Sequence, residues 1–552
     1  MTGSITQPAA EVSRAEASRS PSTPPLVSPQ QLRGMLADGE EIALVDVREE
    51  LIFSQNHLLL ARSVPLSRFE LKFAQLVPRR GTRVVLCDDG DGRARRAAAI
   101  LARNDYANVF VLDGGVAAWA AAGFELFSGV NVPSKAFGEY IEHASQTPSI
   151  AATELERLIR ERANLVVLDS RPFDEYSRVS IPTAINVPGA ELVLRARDIA
   201  PSADTMVVVN CAGRTRSIIG AQSLINAGVP NKVVALRNGT MGWNLAGFVC
   251  ESGKNRRAPS YSKKTLDWAR AAARRVAQNC DVKAIDRAAF EALRADPGRT
   301  LYLLDVRDAA EYEAGHVAGA ISAPGGQLVQ ATDQFVGTLG ARIVLVDDAE
   351  VRAMMTASWL RQMGHSDVFV LAEAGTETGW PRSPILEADL HSGAAIGPES
   401  LRITLAQNAA TIVDLSLSRN YLKDHIPGSW FAIRTRLDGA LQRIPPRGVL
   451  VLTSEDGIVA ELAVAEAQAI SGIPVRFLAG GNAAWKAAGY ELSADPLMAD
   501  EAIDQWRKPY ERSGDAKSAM SEYLAWEMDL LPRLARDGSL NFSARPKGTA
   551  SG

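Results

Sequence analysis

Apolar runs that end on an acid recur four times along the chain: Leu44-Val45-Asp46, Val167-Leu168-Asp169, Leu303-Leu304-Asp305 and Ile412-Val413-Asp414. Each is followed by a second apolar run, a polar loop that opens a helix-period segment, and a Trp: Trp119, Trp243, Trp380 and Trp485. An unbroken apolar run reads as a strand buried on both faces. Strands that alternate with helices predict a parallel sheet covered on both sides, an α/β fold. The register of the repeat is fixed at several points. Eleven residues after the acid stand His57, Ser180, His316 and His425. Nineteen after it stand Pro65, Pro188, Pro324 and, deviating, Ile433. Two after it stand Arg48, Arg171, Arg307 and, again deviating, Ser416. Each unit, roughly 100 residues long, is large enough for its own domain. Its expected order is strand, loop, helix, strand, loop, helix, strand, then Gly-Gly or Asn-Gly and a helix that carries the Trp.

The expected domains are 26–128, 147–252, 284–386 and 395–495. Residues 129–146 form a connector, helical over Ala136 to His143. Residues 253–283 form a linker, basic at Lys254, Arg256 and Arg257 and helical from Lys264 to Gln278. Residues 496–552 are expected as a helical extension packed on a domain, with Trp506, Tyr510, Tyr523 and Trp526, and a disordered tail from about Ser543. Residues 1–25, rich in Ser, Pro and Ala and without the order of a secretory signal, read as a disordered tail.

Composition narrows the function. A net charge of −4 over 552 residues gives no ground for a nucleic-acid or anionic-membrane partner. No apolar run is long enough to span a bilayer. Four cysteines in so long a chain (Cys87, Cys211, Cys250 and Cys280) point to a reducing compartment, by default the cytoplasm. No Cys-x-x-Cys pair occurs, and three histidines in separate repeats do not make one site, so neither metal nor cofactor is expected.

The candidate chemistry lies in the second unit. Its second strand, Met206 to Val209, leads into Cys211-Ala212-Gly213-Arg214-Thr215-Arg216-Ser217, and a helix follows from Ser217 to Ala227. The carboxyl end of a parallel strand is where open α/β sheets place ligands. Backbone amides converging at a helix start, with about half a positive charge from the helix dipole, stabilise an anion there. A cysteine on such a cradle, flanked by Arg214 and Arg216, is poised for thiolate chemistry. The unit contains no histidine, which excludes a Cys-His dyad within it. In the other units the position of Cys211 is filled by Asp88, Asp347 and Ser454, and Cys87 falls one residue early, on the strand. Arg93 and Arg352 align with Arg216. The fourth unit has Ser416 and Val459 where the paired arginines stand elsewhere. The first, third and fourth units are therefore expected to be inactive, serving as scaffold, interface or partner surface.

Four segments together carry a resemblance. They are Asp169-x-Arg171, Ile185-Asn186-Val187-Pro188, Cys211 to Ser217, and Asn238-Gly239-x-x-Gly242-Trp243. With them the chain resembles the rhodanese-like family of sulfurtransferases. The resemblance implies four tandem rhodanese-like domains, of which the second is catalytic. It implies that Cys211 takes a sulfane sulfur from thiosulfate, holds it as a persulfide, and yields it to cyanide or a thiol by a ping-pong route. By carry-over, the amides from Ala212 to Ser217 hold the sulfur anion, Arg214 and Arg216 bind the sulfonate end, and the Thr215 and Ser217 hydroxyls donate to it. Asp169 and Arg171 brace the loop. The histidine of the other repeats, replaced by Ser180 here, reads as a structural hydrogen-bonder. Three other readings stay open: a 3-mercaptopyruvate sulfurtransferase, a relay that passes persulfide sulfur to a protein acceptor, and a cysteine-dependent phosphatase. The last requires five residues between cysteine and arginine, whereas four separate Cys211 from Arg216.

Overall fold

Each apolar run that ends on an acid folds as an interior strand of its unit: Ile42–Asp46, Leu165–Asp169, Leu301–Asp305 and Ala410–Asp414. The second apolar run lies beside it in parallel, as Arg83–Cys87, Met206–Asn210, Arg342–Val346 and Val449–Thr453. Four sheets result, all with one strand order: first, fifth, fourth, second, third. The computed structural model describes residues 23–373, 375–386, 392–512 and 514–544. Residues 1–22 and 545–552, to which the expected terminal tails largely correspond, lie outside the described residues. In the fourth unit Leu497–Met498 adds a sixth parallel strand beside Trp430–Phe431, so this sheet runs past residue 495.

The closing Trp helix forms in three units, as Gly115–Ala121, Gly239–Leu245 and Gly481–Ala487. Each begins on two successive residues of positive φ: Gly114 and Gly115, Asn238 and Gly239, Gly480 and Gly481. Glycine and asparagine adopt that conformation with little strain. The expected third Trp helix is absent from the described residues, because the strand Val368–Leu371 is followed by no such pair. Trp380 instead stands on a loop, 55% exposed, with its ring 5.0 Å from that of Tyr312. The repeat histidines are buried hydrogen-bonders. Nδ1 of His57, His316 and His425 meets the carbonyl of Phe53, Tyr312 and Tyr421, and each ring stacks on that same residue's ring.

The units interlock rather than string out. The second and third share one hydrophobic core. The linker helix (Lys263–Asn279) buries Ala269, Ala272 and Ala273 between the loop helix of the second unit (Thr215–Ala227) and its counterpart in the third (Val351–Gln362). Trp359 Nε1 donates to Ser223 Oγ across this core at 2.9 Å. The first and third units join where Ile42 pairs with Leu339 and Tyr302 donates to the Leu76 carbonyl. Glu41, 7% exposed, accepts there from the Thr300 amide at 2.8 Å and hydroxyl at 2.7 Å, from Arg79 at 2.9 Å and from Arg299 at 3.0 Å. The first and fourth units join through Arg434 and Glu70 at 2.9 Å. The extension starts on the fourth unit, where Asp504 accepts from the Ser418 amide at 2.7 Å. Its two helices, Ala516–Met528 and Leu530–Asp537, then cross to the second and first units. Past them Phe542 packs on Phe137 and the Ser543 amide bonds the Gln362 carbonyl, so the chain is still docked where a free tail was expected. Among the described residues no helix is long and apolar enough to cross a membrane.

Replacing Glu41 by Ala leaves two arginines and a buried amide without their acceptor. Breaking a buried pair in this way costs about 3 kcal/mol. The variant is expected to melt below wild type in a thermal scan, with Glu41→Gln in between. An unchanged midpoint would show that the joint between first and third units does not limit stability.

Candidate active site

The strand Met206–Asn210 lies inside its sheet, with Leu165–Asp169 on one side and Val233–Leu236 on the other. Strand register makes the four repeats comparable atom by atom. Asn210 pairs with Asp169 as Cys87 pairs with Asp46, Val346 with Asp305 and Thr453 with Asp414. The next residues, Cys211, Asp88, Asp347 and Ser454, therefore hold one position, and Cys87 sits one place early.

That position faces the amides of a loop and a helix start, which lack the partners a helix interior provides. In the first unit Asp88 fills the place itself, accepting from the Gly90 amide at 2.8 Å and the Ala94 amide at 2.9 Å. In the third Asp347 accepts from the amides of Ala349 at 3.1 Å, Arg352 at 2.8 Å and Ala353 at 3.3 Å. In the fourth Ser454 Oγ accepts from the Ala460 amide at 3.3 Å. In the second unit the amides from Ala212 to Ser217 make no hydrogen bond among the described residues. Three cradles are closed by their own side chain, and the one under Cys211 is open.

The loop is held from behind. The Cys211 carbonyl accepts from the Thr240 amide at 2.8 Å and hydroxyl at 3.0 Å, and the Ala212 carbonyl from the Met241 amide at 2.9 Å. Asp169 and Arg171 form a buried two-point ion pair at 2.8 and 2.7 Å, and Asn210 donates to the same carboxylate at 2.9 Å. Cys211 is 1% exposed, with Sγ 3.4 Å from Ser217 Oγ, whose hydroxyl donates to the Arg214 carbonyl. Thr215 Oγ1 is buried without a hydrogen-bond partner. Cys87 differs in kind. Burial, and then Asp46 beside it, push its thiol well above the usual range.

The two loop arginines part ways. Arg216 pairs with Glu175 at 2.9 Å, reaches Gln327 of the third unit at 3.1 Å and faces the cavity at Cys211. Burial opposes the Arg216 charge, but Glu175 and then Cys211 outweigh it and raise its hold on the proton. Burial likewise opposes the Glu175 charge, yet Arg216 and Lys508 hold that carboxyl well below the usual range. Arg214 lines the same cavity and is anchored from the other side. Its guanidinium is directed onto Glu139 at 2.7 Å, Glu142 and Asn238 at 3.1 Å. The connector helix (Val132–Ser145) carries both glutamates, which no repeat pattern reveals. Glu175 was legible, since a glutamate stands six residues past the strand-end acid in both the second and third units. There Glu311 pairs with Arg352 at 2.6 Å.

Cys211 opens into a cavity of about 250 Å³ that no single unit builds. Its walls are the loop from Cys211 to Arg216, Glu50 of the first unit, Lys135 of the connector and Gln327 of the third unit. Arg419 of the fourth unit and Lys508 and Tyr523 of the extension complete them. Met520 and Leu524 of the extension helix pack on Ala212 and Met241, roofing the loop. The extension residues carry no sign of this role in the sequence.

A family model of the Rhodanese-like domain matches residues 28–122, 151–246 and 286–376. The crystal structure of a thiosulfate sulfurtransferase from Pseudomonas aeruginosa is 47% identical, superposes with a TM-score of 0.92, and is matched over 95% of this chain and 100% of its own. A sulfurtransferase from Allochromatium vinosum is 29% identical over 100 residues, 18% of this chain and 92% of that protein. A helix-turn-helix transcriptional regulator from Mycobacterium tuberculosis, Rv0324, is 34% identical over 108 residues, 19% of this chain, which spans about half (47%) of the regulator's length. With three matched domains, and a fourth sheet of the same strand order, the chain belongs to the rhodanese-like domain family.

Proposed function

We propose that the protein is a sulfurtransferase with one working site, in which Cys211 accepts a sulfane sulfur from thiosulfate and passes it to a small acceptor, a thiol or cyanide. The observation that carries this reading is the open amide cradle under Cys211, set against three cradles closed by Asp88, Asp347 and Ser454. The likeness to the Pseudomonas aeruginosa thiosulfate sulfurtransferase supports the same donor. The Cys211 thiolate attacks the outer sulfur of thiosulfate. The sulfur–sulfur bond breaks, and its electron pair leaves with sulfite. The sulfur now on Cys211 lies against the amides of residues 212–217, which supply hydrogen bonds without reorganisation. Arg216, with Lys135, Arg419 and Lys508 around the cavity, draws in the anionic donor and steadies the departing sulfite. Arg214, tied to Glu139 and Glu142, keeps the loop in shape, and the Asp169–Arg171 pair does so from below.

The site favours small acceptors over a protein relay. Cys211 lies beneath the extension helix in a chamber whose volume, about 250 Å³, is below the range of pockets that take drug-sized ligands, about 300–1,000 Å³. A cysteine on another folded protein reaches it only if that helix lifts. Four cysteines in 552 residues suit a reducing compartment, and we assign the protein to the cytoplasm.

Intact mass spectrometry after incubation with thiosulfate is expected to show a gain of one sulfur, about 32 Da, removable by cyanide and absent from Cys211→Ala. Loading that survives the substitution would reject Cys211 as the carrier, and loading from 3-mercaptopyruvate alone would replace the donor. Arg216→Gln removes the charge while keeping a hydrogen-bonding side chain. It is expected to lower kcat/KM for thiosulfate about a hundred-fold. A value equal to wild type would move the anion-binding role to Lys508 and Lys135.

A further inference from the structure

The second half-reaction raises a question that the repeat does not answer. A thiol acceptor must lose its proton as it attacks, and the second unit offers no histidine to receive it. The extension does offer a receiver. Glu527, on the helix Ala516–Met528, is fully buried (0% exposed). Its Oε1 accepts from the Tyr523 hydroxyl at 3.0 Å and pairs with Lys135 Nζ at 3.2 Å. Its Oε2 is buried without a hydrogen-bond partner and lies 3.3 Å from where a Cβ on Gly213 would stand. A buried carboxylate oxygen without a partner among the described residues is costly, so its presence beside the loop of Cys211 calls for a reason. Tyr523 and Lys135 line the chamber together with Cys211.

We propose that Tyr523 and Glu527 form the proton exit for a thiol acceptor, Tyr523 touching the acceptor and Glu527 acting through Tyr523. This rests on the reading of Cys211 as the persulfide carrier. As the acceptor sulfur bonds to the outer sulfur of the Cys211 persulfide, the acceptor's proton passes to Tyr523 Oη. Tyr523 hands its own proton to Glu527. The persulfide bond breaks with its electron pair left on Cys211 Sγ, so the cysteine returns as thiolate and the acceptor leaves as a persulfide. No external oxidant or reductant enters. Lys135 and Glu139 of the connector helix and Arg214, Arg216 and Cys211 of the loop are the other titratable or charged groups facing this pair. Burial, and then the neighbouring Glu527, push the Tyr523 phenol well above its usual range, which keeps it a proton donor to the carboxylate. The pair serves only acceptors that carry a proton. Sulfite, an anion that takes the sulfur back without losing one, bypasses it.

The test uses full-length protein loaded from thiosulfate, with discharge followed by intact mass. The acceptors are dithiothreitol and sulfite, compared in wild type, Tyr523→Phe and Glu527→Gln. The ratio of thiol to sulfite discharge is expected to fall about a hundred-fold in both variants, the usual weight of a general base. In the variants the thiol rate is expected to climb about tenfold per pH unit, following the acceptor's own thiolate, whereas wild type is flatter. Variants that load sulfur and discharge to both acceptors in the wild-type ratio overturn the proton path alone. A wild type that takes up no sulfur overturns the Cys211 reading, and the proton path with it.

Discussion

A helix that starts directly after a parallel strand leaves backbone amides pointing at one spot, and something must satisfy them. The four repeats solve this constraint in two ways. Asp88 and Asp347 reach back with a carboxylate and Ser454 with a hydroxyl, each capping its own loop. In these units the strand-end side chain itself occupies amides of the loop and helix start. In the second unit Cys211 stands at that position and the amides of its loop stay unclaimed within the protein. Whether the cradle is closed from within thus turns on the length and charge of one side chain at one strand end.

An open cradle is less well satisfied than a closed one, and the surroundings of Cys211 are built to hold it. The Asp169–Arg171 pair and Asn210 grip the strand end, and Thr240 and Met241 hold the loop carbonyls. Arg214 is anchored to two glutamates of the connector helix, outside the repeat altogether. The other three units contribute walls. The third unit shares a core with the second and brings Gln327 to Arg216. The first and fourth are locked together by Arg434 and Glu70, which positions the extension to cross the loop. All four repeats thus supply parts of one chamber.

Much was readable because the repeat encodes it locally. Apolar runs ending on an acid marked an interior strand of every unit, since a strand covered on both faces admits few polar residues. Aligning the repeats on the loop arginine, with Arg93 and Arg352 matching Arg216, gave Asp88, Asp347 and Ser454 as the equivalents of Cys211, and strand register places them there. The third Trp helix failed because its start needs two residues tolerant of positive φ, and Trp380 has no such pair before it. The carboxylate partners of Arg214 were unreadable for a different cause. An arginine in an anion loop looks alike whether it faces a substrate or a carboxylate from elsewhere in the chain.

The sequence alone determined the four α/β units, the one cysteine that follows the second strand at the position of Asp88, Asp347 and Ser454, and the family that its loop resembles, because periodicity and spacing are local properties of the chain. Only the tertiary structure decided what surrounds that cysteine. Glu139, Gln327, Arg419, Lys508, Tyr523 and Glu527 come from a connector, two other units and the extension, separated from Cys211 by as many as several hundred residues. Their meeting is set by helix faces burying against one another across domains. Hydrophobic burial of that kind is non-directional and leaves no spacing in the sequence to count.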